Sequence, residues 1–158
     1  MSAGYDSLWL TQHNARPILG VGSQSDTWHR TGDVGHIDSE GNVWIEGRLV
    51  HVIHTSQGPI APVPLEIAVE ALPNVVRVAA VGIGPTGVQQ LVIVVETIDS
   101  NDGPAEVELT RAVRHALAPL TISSVWTTKK LPVDIRHNSK IDRTALSKQM
   151  SHIPAGTK

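Results

Sequence analysis

The sequence predicts an α+β fold in which helices flank a mainly antiparallel sheet of three strands. Two segments, 75–83 and 91–97, are rich in β-branched residues and are typical of buried strands. Two other segments, 64–72 and 105–118, place apolar residues at helical spacing, and each is followed directly by a proline. Strand and helix signals therefore alternate along one short chain.

The elements follow one another in a definite order after residue 50. We predict strand 50–54, helix 64–72, strands 75–83 and 91–97, helix 105–118, strand 122–127, loop 129–140 and helix 142–150. Pro64 suits the first turn of the first helix. Either Asn101 or Asp102 is the candidate cap of the second helix.

The first fifty residues have a different pattern. Strands are predicted at 34–38 and 43–46 around a Ser-Glu-Gly-Asn turn, which indicates a β-hairpin with little of its own to pack against. We therefore expect three parts. They are residues 1–48 as the terminal β-rich piece of a preceding domain, 49–150 as a small domain, and 151–158 as a disordered tail.

Composition excludes several classes of protein. The 158 residues include 41% apolar residues, enough for a core, and no cysteine, which excludes disulfides and thiolate metal sites. The net charge is −2 with scattered basic residues, so no nucleic-acid surface is predicted. The longest apolar run, 91–95, is too short to span a membrane, and a cytoplasmic location is expected.

The glycines of 82–87 fit the dinucleotide-binding pattern G-x-G-x-x-G. That motif requires a helix directly afterwards, whose N-terminal amides bind the pyrophosphate. The residues after it, 89–97, instead predict a strand. We interpret the glycines as a hairpin turn.

Eight histidines invite a metal hypothesis. His51 and His54 lie three apart on a predicted strand and would point to opposite faces, so no metal site is predicted. The four tryptophans are far apart in sequence and lack a surrounding basic groove, so we interpret them as packing residues.

Three charged residues stand in settings that favour chemistry. Asp33 ends a Thr-Gly-Asp turn, where its carboxylate can accept two hydrogen bonds from a ribose. Arg48 follows a glycine at the predicted boundary, and its guanidinium suits ribose or phosphate oxygens. Lys140 ends a polar loop and can neutralise charge on a transferring carboxylate and phosphate. Singly, each is equally typical of a solvated surface residue, so the prediction depends on their combination.

In this order and spacing, the segments resemble motifs of the adenylate-forming superfamily, which includes acyl-CoA synthetases, firefly luciferases and peptide-synthetase adenylation domains. The resemblance covers residues 28–148. It implies that Asp33 binds the ribose hydroxyls of ATP, that Arg48 binds the ribose or phosphate, and that Lys140 is the catalytic lysine of adenylation.

The same resemblance implies how the parts are arranged. Arg48, Leu49 and Val50 would form a hinge between a mobile C-terminal cap, residues 49–150, and a large missing N-terminal adenylation domain. Residues 1–48 would be the last piece of that domain. ATP and Mg²⁺ would be bound mainly there, so the present chain alone is expected to be inactive.

Several residues depart from the acyl-CoA synthetase pattern. Val50 and His51 replace an Asp or Lys followed by an acidic residue, and Ser139 replaces a glycine. The segment 58–66 contains three prolines, unlike the usual coenzyme A-binding form. With the closing motif 132–141, these departures are similar to the β-lactone synthetases of bacterial olefin biosynthesis.

That similarity implies a substrate and partners. A long-chain 2-alkyl-3-hydroxy acid would be adenylated, and its own 3-hydroxyl would then expel AMP and close a β-lactone. The partners implied are the N-terminal domain, the β-hydroxy acid and other enzymes of olefin biosynthesis. His51 or His137 could accept the hydroxyl proton, or either could merely hold a domain contact. An acyl-CoA ligase, a fatty-acyl-AMP ligase and a non-catalytic domain of the same fold are the alternatives.

Overall fold

The computed structural model of the chain describes residues 31–98, 102–134 and 137–152, without the side chains of 137–139. The chain divides into two compact units, Met1–Leu49 and Val50–Lys158. No helix in the described ranges combines the length and the apolar character needed to cross a membrane.

The first unit contains the predicted β-hairpin. Strands β1 (Asp33–Ile37) and β2 (Val43–Arg48) pair antiparallel, with a bulge after Val34. The bulge lets the strands approach so closely that a Cβ on Gly35 would overlap the carbonyl oxygen of Trp44. The hairpin is confirmed, and β2 runs two residues further than predicted.

The second unit contains the remaining elements. A 3₁₀ turn, Leu49–His51, crosses the boundary between the two units. After it come β3 (Ile53–Thr55), β4 (Gly58–Ile60), α1 (Pro62–Glu70), β5 (Val75–Ile83), β6 (Gln90–Thr97), β7 (Gly103–Pro104), α2 (Val107–Ala116), β8 (Ser124–Thr128), β9 (Val133–Asp134), β10 (His137–Ile141) and α3 (Arg143–Ser151).

The main sheet has four strands in the order β5-β6-β8-β7. The β5–β6 and β7–β8 pairs are antiparallel, and β6–β8 is parallel. The prediction of a mainly antiparallel sheet is confirmed, but the count of three strands is wrong. The fourth strand, β7, is only two residues long, and its Gly-Pro sequence carries no strand signal.

The core lies on both faces of this sheet. On one face, Ile93 and its alternate neighbours on β5 and β6 pack against α1 and α2. On the other face, Val92 and Val94 pack against Leu146 and Met150 of α3. Burial on both faces explains why these strands appear in the sequence as continuous apolar runs rather than as an alternating pattern.

Several predicted boundaries and elements are wrong. Residues 50–52 are not strand, and only Ile53–Thr55 of that region is extended. The predicted loop 129–140 contains β9 and all but the last residue of β10, and this pairing is too short to leave a periodic signal. The helices α1 and α2 begin at Pro62 and Val107 rather than at residues 64 and 105.

The predicted helix caps have different outcomes. Glu106 precedes α2 without a capping side-chain bond, whereas Asp102 accepts hydrogen bonds from the Thr128 hydroxyl and the Lys129 amide. These bonds lower the pKa of the Asp102 carboxyl, the Lys129 amide being the largest cause. The alternative cap, Asn101, lies outside the described residues. The closing helix extends to Ser151, the first residue of the predicted tail, and residues 153–158 are also not described.

Removing the buried side chain of Ile93 tests the central position of β6. Ile93→Ala in this chain is expected to lower the free energy of unfolding by about 2–5 kcal/mol, because a cavity is left at the centre of the core. Ile67→Ala is the matched control, since Ile67 is 63% exposed on α1. Urea unfolding followed by circular dichroism measures both, and equal losses would contradict this position for β6.

Candidate functional site

The two predicted nucleotide-binding residues, Asp33 and Arg48, lie opposite each other on the hairpin. The register pairs Asp33 with Arg48, and the Arg48 Nη1 atom is 3.1 Å from Asp33 Oδ1. The turn before Asp33 is fixed, since Gly32 has φ +75° and its carbonyl accepts from the Leu49 amide at 2.8 Å. The Asp33 amide donates to the Thr31 hydroxyl at 3.2 Å. The Thr-Gly-Asp and Gly-Arg motifs therefore form one local site.

The Asp33–Arg48 pair is open to solvent. Its side chains are 29% and 58% exposed for Asp33 and Arg48 respectively. Exposed ion pairs contribute only about 0.2–1 kcal/mol, so a ligand can compete for either partner at little cost. A carboxylate has about four acceptor positions and a guanidinium has five donors. The pair therefore offers acceptors for hydroxyl groups beside donors for anionic oxygens.

A second polar cluster lies on the same hairpin. His36 Nδ1 is 2.9 Å from Glu46 Oε1, and the His36 ring stacks on Trp44 at a centroid distance of 6.4 Å. The Trp44 indole donates to Asp38 Oδ2 at 2.8 Å. This bond, followed by those from the side chain and amide of Asn42, holds the pKa of the Asp38 carboxyl well below its usual range. The cluster stabilises the turn that keeps β1 and β2 in register.

This cluster was not predicted from the sequence, and the interpretation of the tryptophans as packing residues is only partly correct. Trp44 is 55% exposed and stacks on a histidine instead of filling a core, whereas Trp126 packs into the core as predicted. Trp9 and Trp28 lie outside the described residues. Period-two alternation could have placed Trp44 and Glu46 on the same face of β2. His36 lies across from Trp44 on the neighbouring strand β1.

Lys140 lies on a short and irregular strand in the second unit. In the β9–β10 pair, His137 lies opposite Asp134 and Ile141 opposite Val133, so extra residues of β10 bulge between these points. Lys140 belongs to this bulged segment and is exposed. Bulges redirect side chains out of the regular pleat. The ammonium group is thereby presented to solvent at the end of the strand, one residue before Ile141 enters the core.

A nearly buried ion pair involves Arg143, three residues after Lys140 in the chain. Glu66 of α1 and Arg143 of α3 have side chains only 8% and 18% exposed, and Arg143 Nε donates to Glu66 Oε1 at 2.9 Å. The Ala80 amide donates to the same carboxylate oxygen at 3.0 Å. This pair could not be predicted from the sequence, because two residues 77 positions apart leave no local pattern.

His51 lies in the second unit and is half-buried in the 3₁₀ turn. It lines a cavity of about 280 Å³ together with Gln89, Ser147 and Lys148. The predicted reason that His51 and His54 face opposite ways is wrong, because His51 is not on a strand. Within the described ranges, no three His, Asp or Glu side chains are grouped closely enough to hold a metal ion. The side chain of His137 lies outside the described part.

The glycine-rich segment is the predicted hairpin turn. Gly84 and Gly87 have φ values of +97° and +92°, and antiparallel β5 and β6 flank them. A strand follows where the dinucleotide motif requires a helix. The prediction of a hairpin turn is confirmed.

The chain is similar to known proteins both in sequence and in fold. No protein-family model matches the chain. An olefin beta-lactone synthetase from Xanthomonas campestris is 40% identical over 123 residues, which are 75% of this chain and 22% of that protein. The olefin beta-lactone synthetase from Stenotrophomonas maltophilia is 37% identical over 121 residues, which are likewise 75% of this chain and 22% of that protein. ATP-bound MatB from Rhodopseudomonas palustris matches the fold with a TM-score of 0.66, at 24% identity over 82% of this chain and 25% of that one.

The chain belongs to the adenylate-forming superfamily. It spans 22% of the length of the curated relatives it matches. Two of the structures that share this fold, MatB at 24% identity and a MatB chimera at 25% identity, contain bound ATP. Coenzyme A ligases also match part of the chain.

The predicted site residues of this chain are divided between its two units. Asp33 and Arg48 share one site on the hairpin. Lys140 and His51 both belong to the second unit, on β10 and in the 3₁₀ turn. The predicted hinge residues, Arg48 to Val50, include the boundary between the units. The three motif residues thus belong to two different units, Asp33 and Arg48 to the first and Lys140 to the second.

Proposed function

We propose that the chain is the C-terminal portion of an ATP-dependent enzyme that adenylates a long-chain 2-alkyl-3-hydroxy acid and cyclises it to a β-lactone. The observation that carries the proposal is the similarity to two olefin beta-lactone synthetases over 75% of the chain. The paired Asp33 and Arg48 and the exposed Lys140 supply the charges that adenylation requires. A cytoplasmic location stays a prediction.

The hairpin supports the proposal that residues 1–48 complete a larger N-terminal domain. Ile37, Val43 and Ile45 share one face of the hairpin and are 63%, 66% and 58% exposed. A two-stranded hairpin is marginally stable alone, and three large apolar side chains on one face favour burial against a partner surface. In the proposed enzyme this face packs on the preceding domain, and residues 49–150 form the mobile cap.

The first step forms an acyl-adenylate. A carboxylate oxygen of the acid bonds to the α-phosphorus of ATP, and the bond to the pyrophosphate leaving group breaks. Asp33 accepts from the ribose hydroxyls, and Arg48 donates to the ribose or phosphate. The Lys140 ammonium neutralises negative charge on the transferring carboxylate and phosphate. We assign Mg²⁺, which neutralises phosphate charge when bound, mainly to the N-terminal domain.

The second step closes the ring. The 3-hydroxyl oxygen bonds to the acyl carbon, the bond from that carbon to AMP breaks, and AMP leaves with its electron pair. The hydroxyl proton passes to a base, for which His51 and His137 are the candidates. Because nucleophile and electrophile belong to one molecule, the step gains from proximity and needs no thiol cosubstrate.

Replacing Lys140 tests the adenylation role. Lys140→Ala in the full-length enzyme is expected to lower kcat for adenylation about 10²- to 10³-fold, comparable to the loss of a charge-stabilising donor elsewhere. The KM for ATP should change little, because binding is assigned to other residues. Release of pyrophosphate with the β-hydroxy acid measures both constants. Lys130→Ala, which removes another exposed lysine, is the control. Unchanged adenylation in Lys140→Ala would support the non-catalytic alternative.

The product formed without coenzyme A distinguishes lactone synthesis from acyl-CoA ligation. Full-length enzyme given ATP and a long-chain 2-alkyl-3-hydroxy acid is expected to yield the β-lactone and AMP at the same rate with and without coenzyme A. Mass spectrometry of the extracted product makes the measurement. Strict dependence on coenzyme A would identify an acyl-CoA ligase, and release of a free acyl-adenylate would identify a fatty-acyl-AMP ligase.

Separate replacement of the two histidines tests the base. We expect either His51→Ala or His137→Ala to slow lactone formation about 10²- to 10⁴-fold, the usual range for a general base. Adenylation should remain unchanged, since no proton leaves a hydroxyl in that step. Lactone formation and pyrophosphate release are measured side by side on each full-length variant. Normal lactone formation in both variants would place the base elsewhere.

A further inference from the structure

The short hairpin that carries Lys140 is attached to the sheet at its beginning. Leu131, two residues before β9 begins at Val133, is 1% exposed and packs in the second core cluster. Its amide donates to Glu96 Oε2 of β6 at 2.9 Å. The chain therefore leaves the core from a fixed point before it forms β9 and β10.

The three residues after Lys140 attach the other end. Ile141 packs against the second core cluster. The Asp142 amide donates to the Pro132 carbonyl at 2.9 Å, and the Asp142 carboxylate caps α3 by accepting from the Ala145 amide at 2.9 Å. Arg143 forms the buried ion pair with Glu66. Three consecutive residues thus attach this end of the hairpin: Ile141 by packing, Asp142 as a helix cap and Arg143 through an ion pair.

The ion pair is the longest-range of these attachments. Arg143 donates through Nε at 2.9 Å to one oxygen of Glu66 and through Nη2 at 2.5 Å to the other. This two-bond geometry fixes direction as well as distance, which a lysine cannot do. Three residues of extended chain span at most about 11 Å, so the position of Arg143 restricts the position of Lys140.

We propose that Glu66 and Arg143 are positioning residues for Lys140, holding the base of its strand so that the ammonium meets the reacting groups in one geometry. The inference rests on the proposed role of Lys140 in adenylation. Displacement of a catalytic group by about 1 Å can cost 10²-fold in rate, so a distant anchor affects the chemical step. The pair contacts neither ATP nor the acid; it acts through Lys140.

Glu66→Gln in the full-length enzyme tests the inference. The substitution keeps the size of the side chain and an acceptor for the Ala80 amide but removes the charge that binds Arg143. We expect kcat for adenylation to fall about 10- to 100-fold, while the KM for ATP stays within about twofold. In a Lys140→Ala background, Glu66→Gln should lower the remaining rate by less than about twofold, because residues that act through one group are not additive.

Two further variants exclude a general loss of folding. Glu108→Gln removes the same charge from an exposed pair with Arg111, with side chains 80% and 70% exposed, and should leave kcat unchanged. Arg143→Lys keeps the charge next to Glu66 but loses the second bond. It should fold, as judged by urea unfolding, and still show a lowered kcat that disappears in the Lys140→Ala background.

The outcomes separate the inference from the proposed function. Equal slowing by Glu66→Gln or Arg143→Lys with and without Lys140 would overturn the inference and leave the role of Lys140 intact. Full activity of a folded Arg143→Lys or Glu66→Gln enzyme would overturn it as well. If Lys140→Ala itself has no effect, the proposed role of Lys140 fails, and the inference fails with it.

Discussion

The open edge of β5 is the constraint on which the second unit depends. This strand ends the four-stranded sheet, and among the described residues no strand pairs with the outward amides of Val78 and Ala80. Carboxylates of α1 accept hydrogen bonds from these amides instead. The Val78 amide donates to Glu70 at 3.2 Å, and the Ala80 amide donates to Glu66 at 3.0 Å. Covering an edge with a helix is a common protection against pairing with another chain. Here the cover introduces a nearly buried negative charge, which itself requires a partner.

Arg143 supplies that partner from the opposite face of the sheet. Helix α1 packs on the face that contains Ile93, whereas α3 packs on the face that contains Val94. The Glu66–Arg143 bonds therefore pass around the edge of β5 and join the two layers. A buried ion pair adds little net stability compared with well-packed apolar residues, but removal of one partner leaves an uncompensated charge. The pair consequently specifies the position of α3 more than it strengthens the core, and the strand with Lys140 leads directly into that helix.

The parts of the fold that could be predicted are those with local physical signals. Strands β5 and β6 were predictable because burial on both faces favours nearly continuous apolar runs, and here these runs are rich in valine and isoleucine. Strands β7 and β9 have two residues each, too few for any periodicity, and they exist only because a neighbouring strand offers partners. The 3₁₀ turn containing His51 was missed for a related reason, since its apolar residues resemble a strand. For the candidate site, Asp33 and Arg48 were predicted from the Thr-Gly-Asp and Gly-Arg motifs, but the cross-strand register that pairs them was not.

The distribution of charges over two units has a mechanistic consequence in the proposed enzyme. Asp33 and Arg48 form a weak and exposed pair in the first unit, which a nucleotide can replace without a large loss of stability. Lys140 belongs to the second unit, and its strand is held by a core residue, a helix cap and an ion pair. In the proposed enzyme the nucleotide contacts would therefore be adaptable, whereas the strand that carries the cation would be held in one position within its own unit. Movement at the hinge would then decide when the cation reaches the reacting groups, and the rigid mounting would decide with what geometry. A lysine on a mobile strand would supply the positive charge but not a defined distance and direction to the reacting groups. Electrostatic stabilisation of a transition state requires both the charge and its position.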